Sequence, residues 1–271
     1  MSKESMDRRT FLTWIGRTSA VVIGASLLPG CARNGSSSQP ENETSNFYVR
    51  NQTNIMKEVD EFAGYVHKVC STKYGEALAD QLIAETKQTF DVLLPDLPYI
   101  GGYTNDLTAN LYQSAAGLAF YRAMLAHNKT LEETGEVLFR STELQAGSIP
   151  LGAMAASMST SQSSKDKYAA AAEYSQAKEF SGDWVFNFVE GDGKNFDYGI
   201  DYTECGICKY YKAQGAEELT PYMCLLDYPI SAALNTGLVR TSTIGRGGSC
   251  CDFRYKVGRP VQMDWTPAFL K

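Results

Sequence analysis

Apolar positions recur every three or four residues from about residue 53 to residue 180. Ile55, Val59, Phe62, Val66 and Val69 line one helical face, and Leu78, Leu82, Thr86, Phe90 and Leu93 repeat the spacing up to Pro95. After a loop containing Pro98, Gly101 and Gly102, Asn105 is placed to cap a third helix with the stripe Leu107, Leu111, Ala115, Leu118 and Leu125. Thr130 and Glu133 form a capping box, so a fourth helix is expected over about 131–145, with two more over 148–160 and 165–178. Beyond Gly182 the period falls to two. Trp184, Phe186 and Phe188 alternate, Gly191-Asp192-Gly193 turns the chain, and Phe196, Tyr198, Ile200 and Tyr202 alternate again, which predicts a hairpin. Helices follow near 205–214, with Thr203 as cap, and near 221–235, with Thr220 as cap and Pro229 able to kink or restart it. Strands over 238–244 and 250–257 flank the Gly245, Gly247 and Gly248 turn. The pattern predicts an α+β fold: an N-terminal multi-helix region over 53–180, then a β-β-α-α-β-β antiparallel sheet unit over 181–258 and a C-terminal tail over 259–271.

The first thirty residues stand apart from this pattern. Asp7-Arg8-Arg9-Thr10-Phe11-Leu12 has the form of a twin-arginine export signal, and the weakly apolar stretch 13–28 carries Arg17 and is too short for a membrane span. It ends at Leu27-Leu28-Pro29-Gly30-Cys31, a lipobox-like sequence in which Cys31 would carry the lipid and become the new N-terminus. Residues 31–52 read as a flexible tether, with no large apolar side chain over 32–46. The expectation is an exported, membrane-tethered lipoprotein of the cell envelope that has used the twin-arginine export machinery and sits where thiols can be oxidised.

Composition narrows the chemistry. The chain has 271 residues, 25 Lys+Arg against 31 Asp+Glu and a formal charge of -6, and the putting aside of residues 1–30 leaves it more acidic still. With no basic block, nucleic-acid binding is excluded as an expectation, since phosphate contacts require a cationic surface. There are 7 Cys but only 2 His. His67 flanks the first apolar stripe and His127 ends the third helix, and both read as structural. Cysteine and carboxylate are left to carry the chemistry.

Besides Cys31 and Cys70, the cysteines Cys205, Cys208, Cys224, Cys250 and Cys251 all fall in the α+β region. Cys205 lies at a helix start, where unpaired N–H groups favour a thiolate, and Cys208 is one turn on. Cys224 and Asp227 share a helical face by their spacing, whereas Cys251, Phe253 and Tyr255 face one side of the last strand and Cys250, Asp252 and Arg254 the other.

These residues carry a resemblance. Tyr202-Thr203-Glu204-Cys205, Lys209, Gly215, Glu218-Leu219, Tyr222-Met223-Cys224, Asp227, Arg240, Gly245 and Cys251-Asp252-Phe253-Arg254-Tyr255 resemble the C-terminal signature of the L-2-amino-thiazoline-4-carboxylic acid hydrolase family, over about 184–256. The resemblance implies a small-molecule substrate and hydrolytic opening of a thiazoline ring to an N-carbamoyl cysteine. Its implied catalytic positions are Glu204, Cys205, Cys224, Asp227, Cys251 and Asp252, with Arg240 and Arg254 as clamps for the substrate carboxylate. Cys205 or Cys251 would attack directly or hold a divalent metal that activates water, with Glu204 or Asp227 moving protons. Whether any cofactor is needed stays open. An export signal is unexpected on a cysteine-salvage enzyme, and other readings compete. One is a metal or iron–sulfur lipoprotein with Cys205, Cys208, Cys224 and Cys251 as a four-thiolate site. Another is a thiol–disulfide oxidoreductase using Cys205-Gly206-Ile207-Cys208. A third is a binding lipoprotein with a pocket of Trp184, Phe186, Tyr198 and Phe253.

Overall fold

The computed structural model describes residues 47–149 and 152–271, so the expected export signal, Cys31 and most of the tether lie outside the described residues. The fold is α+β. Its helices are α1 (Gln52–Tyr74), α2 (Glu76–Leu93), α3 (Thr108–Ala126), α4 (Leu131–Gly147), α5 (Gly152–Ser159) and α6 (Gln162–Ser175). Strands β1 (Val185–Glu190) and β2 (Tyr198–Glu204) follow, then α7 (Gly206–Ala213), α8 (Thr220–Leu225) and α9 (Asp227–Ala233). The short β3 (Leu238–Val239) and β4 (Cys251–Tyr255) complete an antiparallel sheet of order β1-β2-β4-β3. Among the described residues no helix is long and apolar enough to cross a membrane.

The apolar stripes do what their period predicts. Ile55, Val59 and Val66 of α1 and Leu82, Phe90 and Leu93 of α2 are buried, and α1 packs against α2 and α4 while α2 packs against α3. Helix α3 is buried nearly all round, as its many small apolar residues require. Helix α6 covers the inner face of the sheet: its Tyr168 ring stacks on Tyr198 at 5.2 Å, and Tyr198 stacks on Tyr255 at 4.8 Å. Inner-face Tyr198, Ile200, Tyr202, Cys251, Phe253 and Tyr255 are buried, and Asp201, Asp252 and Arg254 lie half-buried on the other face.

Several local expectations need correction. Residues 47–50 are helical and bury Phe47 and Tyr48, so this stretch belongs to the fold and not to a tether. Asn105 does not cap α3; its carbonyl oxygen accepts from Leu107 N–H (2.9 Å) and its amide donates to Asp183, which shapes the turn before the helix. Thr203 stays in β2 and donates to Val185 O, leaving Cys205 as the residue before α7. The helix expected over 221–235 breaks at Leu226 into α8 and α9, three residues ahead of Pro229, whose missing N–H suits an early helical position. The last strand pair is short because Asp252 Oδ1 accepts the Thr241 and Ser242 N–H groups at 2.8 and 2.7 Å, replacing the backbone partners a longer β3 would need. The segment 259–271 is no loose tail: Phe269 packs on Phe139, Trp265 meets Tyr222 edge-on, and Asp264 is buried.

Candidate active site

Three crossing elements bring the family thiols together. Strand β2 ends at Glu204, and Cys205 links it to α7; α8 supplies Cys224; and β4 begins with Cys251, opposite Tyr202 in the sheet register. The turn at Ile244–Arg246 lies against two of the sulfurs. Ile244 N–H donates to Cys251 Sγ at 3.2 Å, and a side chain at Gly245 would come within 3.3 Å of Cys224 Sγ. Glycine therefore admits the close approach of this turn to Cys224.

Asp227, the first residue of α9, faces the same place. Arg240 Nη1 donates to Asp227 Oδ2 at 2.8 Å, and Arg240 Nη2 donates to the Cys224 carbonyl at 2.8 Å and reaches Asp264 Oδ1 at 3.4 Å. The guanidinium lies 4.9 Å from the Tyr228 ring and 4.8 Å from the Phe253 ring. It is thus sandwiched, charged and committed to protein partners, with only Nε left without one. Tyr228 O–H donates to Asp264 Oδ1 at 2.7 Å and receives the Asp264 N–H, which fixes Asp264 against the arginine.

The electrostatics favour protons on the acids. Burial lifts the Asp227 carboxyl above the ordinary aspartate range despite Arg240, although 32 % of its side-chain surface remains accessible. Burial pushes the Cys251 thiol up to about 12 and holds Cys224 well above the ordinary thiol value. For Cys205 the adjacent Cys208 thiol raises the pKa most and burial adds to it, while the N–H groups of Cys208 and Ile207 act in the opposite sense. The resting cluster is accordingly one of neutral thiols, and a sulfur nucleophile there needs a base.

The remaining sequence candidates lie elsewhere. Glu204 pairs with Lys178 (2.6 Å) and Lys209 (2.5 Å), which hold its carboxyl below the usual range. Asp252 is engaged with Thr241 and Ser242; their hydrogen bonds outweigh burial and keep it ionised. Arg254 pairs with Asp201 (2.7 Å) on the outer face of the sheet, the face opposite Cys251, and not with Asp252. His67 binds Asp80 and His127 binds Glu85, each remote from the thiols in the helical region. Among the described residues no three His, Cys, Asp or Glu side chains are grouped to hold a metal ion, so Cys205, Cys208, Cys224 and Cys251 do not form the four-thiolate site of the competing reading.

Two features escape sequence reasoning. Asp264 completes the arginine's environment from the segment read as a tail; its signal is a lone acid between Met263 and Trp265. A cavity of about 380 Å³ opens between the approach to α3, helix α6 and the sheet, and Tyr202 is one of its walls. Tyr202 sits opposite Cys251 in the sheet register, but none of the clustered thiols lines the cavity. Of the aromatic pocket proposed from sequence, only Phe186 lines it; Tyr198 stacks behind Tyr168.

A sequence model describing L-2-amino-thiazoline-4-carboxylic acid hydrolases matches residues 109–255, from α3 through β4. No curated protein and no solved structure matches the chain.

Proposed function

The chain belongs to the L-2-amino-thiazoline-4-carboxylic acid hydrolase family, matched over more than half its length, and from that premise we propose that it opens the ring of a cyclic amidine of the thiazoline class at the Cys205–Cys224–Cys251 cluster. The observation that carries this reading is the convergence of those three thiols on the Asp227–Arg240 pair, all within the matched segment. Cys205 is the best-placed nucleophile, since it is only half-buried and adjoins the amino end of α7, where N–H groups support a developing thiolate. Asp227 takes the thiol proton, and Arg240 positions Asp227.

In this scheme the Cys205 sulfur bonds to C2 of the ring, the C2–S bond breaks, and the departing sulfur takes a proton. Water then adds to the enzyme-bound amidino carbon, its oxygen becomes the urea carbonyl, and the Cys205 thiol is restored with the N-carbamoyl cysteine released. No step requires an oxidant. Arg240 is too fully engaged to clamp a substrate carboxylate as well, and Arg254 is on the wrong face, so the substrate's carboxylate is not held by either.

The test is incubation of the protein with L-2-amino-thiazoline-4-carboxylate, with and without added divalent metal, following ring opening by mass. Loss of turnover in Cys205→Ser is expected; full turnover in Cys205→Ser, Cys224→Ser and Cys251→Ser alike overturns the reading. Export and lipid attachment are part of the same proposal and rest on the Arg8-Arg9 and Cys31 motifs. Labelled fatty acid should enter the wild-type chain and not Cys31→Ser.

A further inference from the structure

Cys208 is idle in the proposed ring opening, yet its thiol is hydrogen-bonded to that of Cys205. Backbone geometry fixes the pair. Cys205 immediately precedes α7 and Cys208 is the third residue of the helix, and the Cys205 carbonyl already accepts the Lys209 N–H at 3.0 Å, so both belong to one helical turn. The Cα–Cα distance across such a turn depends on the φ and ψ of the two residues between, here the helical Gly206 and Ile207, and helix dimensions set it at roughly 5 Å. A disulfide requires about 4.4–6.8 Å. The start of α7 is held at this spacing because Gly206 is pressed against Gly182 O and the Trp184 ring. None of Cys70, Cys224, Cys250 and Cys251 shares a helical turn with Cys205. Cys205 and Cys208 are both half-buried, so a small reagent can reach them.

We propose that Cys205 and Cys208 are a dithiol site that takes a low-molecular-weight disulfide as its oxidant and closes into an intramolecular bridge, which switches the ring-opening nucleophile off. One cysteine sulfur attacks the small disulfide, forms a mixed disulfide and expels one small thiol. The other then attacks the cysteine sulfur of that mixed disulfide and expels the second. The bridge forms as the S–S bond of the reagent breaks, the two cysteine protons pass to the two departing thiolates, and the electron pair leaves with them. A dithiol reductant runs the exchange backwards. The N–H groups of Ile207 and Cys208 also donate to the Cys205 sulfur, which supports its thiolate as attacking or leaving group. The switching role rests on the ring-opening reading, whereas the bridge itself is detected without turnover.

Residues 195–209, between Lys194 and the cut after Lys209, form one tryptic peptide that contains both cysteines, and Cys224 and Cys251 fall in others. The reduced full chain is incubated with bis(2-hydroxyethyl) disulfide, alkylated with iodoacetamide and digested without reduction. The peptide should lose two hydrogens and take up no alkyl group, thiazoline turnover should fall in proportion to the bridged fraction, and dithiothreitol should reverse both changes. Cys208→Ser should form no bridge, its Cys205 being alkylated or carrying the reagent's thiol instead. A wild-type peptide that stays unbridged, a bridge from Cys205 to Cys224 or Cys251, or full turnover in the bridged protein overturns the proposal. Bridging in a chain that opens no thiazoline even when reduced leaves the dithiol site standing and fails the ring-opening reading, and turnover without bridging does the reverse.

Discussion

Arg240 and Asp227 form a 2.8 Å ion pair in which the arginine side chain is only 1 % exposed while the aspartate keeps an accessible face. The arginine therefore acts from behind the site: it holds the carboxylate while the carboxylate faces the thiols. Arg240→Met removes the counter-charge of Asp227 and one of the two arginines at the buried Asp264, the other being Arg246, and leaves the Tyr228 and Phe253 rings without the guanidinium between them. Breaking a buried pair from one side costs about 3–5 kcal/mol. A loss of that order in the urea unfolding free energy is expected, and a change below 1 kcal/mol (roughly the value of an exposed pair) would contradict the arrangement.

The Asp227 carboxyl is raised by burial, so its charged, base-competent form is lost on acidification earlier than for an ordinary aspartate. Turnover should fall as pH drops through a value above the usual carboxylate range, and remain flat over the range just above it. Asp227→Asn should remove most of the activity and leave the residue without that acid limb. An unchanged limb in the variant would assign the ionisation to another group.

Gly206 follows Cys205 directly, and a Cβ there would meet Gly182 O at 2.7 Å and the Trp184 ring at 2.6 Å. Backbone cannot give way as a flexible side chain can, so Gly206→Ala should push the start of α7 outward. About 1–3 kcal/mol of destabilisation is expected, together with a lower kcat from a displaced Cys205. A denaturation midpoint equal to wild type would mean that the start of α7 is not tightly packed against Gly182 and Trp184.

Asp192 organises the β1–β2 turn: its Oδ1 accepts from the N–H groups of Asn195 (2.6 Å), Lys194 (2.9 Å) and Phe196 (3.2 Å). These bonds, Asn195's first, hold its pKa down to about 2. Since the folded value lies below the unfolded one, the stabilisation is complete above the ordinary aspartate range and is lost as pH falls through about 2. Asp192→Ala should thus be less stable than wild type near neutrality, and the gap should close towards pH 2 in thermal melts. A gap independent of pH would mean that the charge is not what holds the turn.

Thr130 Oγ1 accepts from Glu133 N–H at 3.1 Å, and Thr130 N–H donates to Glu133 Oε2 at 2.9 Å. Thr130→Ala should cost about 1 kcal/mol, measured by urea unfolding; an unchanged unfolding free energy would mean that the cap does not hold the start of α4.

Elements governed by neighbours in the chain could be read from the chain. The stripes of α1 and α2, the Thr130 capping box, the period-two hairpin and the alternation that turns Cys251 inward and Asp252 and Arg254 outward all follow from the periods of helix and strand. The cysteine and carboxylate types of the site were legible too, as was the pairing of Cys224 with Asp227 at one helical turn, although the helix itself breaks between them. What could not be read was which charges meet. Glu204 is adjacent to Cys205 in sequence yet is drawn away by Lys178 and Lys209, and Arg254 is claimed by Asp201 across the strand. Asp264 reaches Arg240 from 24 residues along the chain, and the cavity exists only where α6, the approach to α3 and the sheet fail to close on one another. Local periodicity follows from backbone geometry, which every residue carries with it. Ion-pair choice and empty space depend on long-range packing, which only the assembled tertiary structure decides.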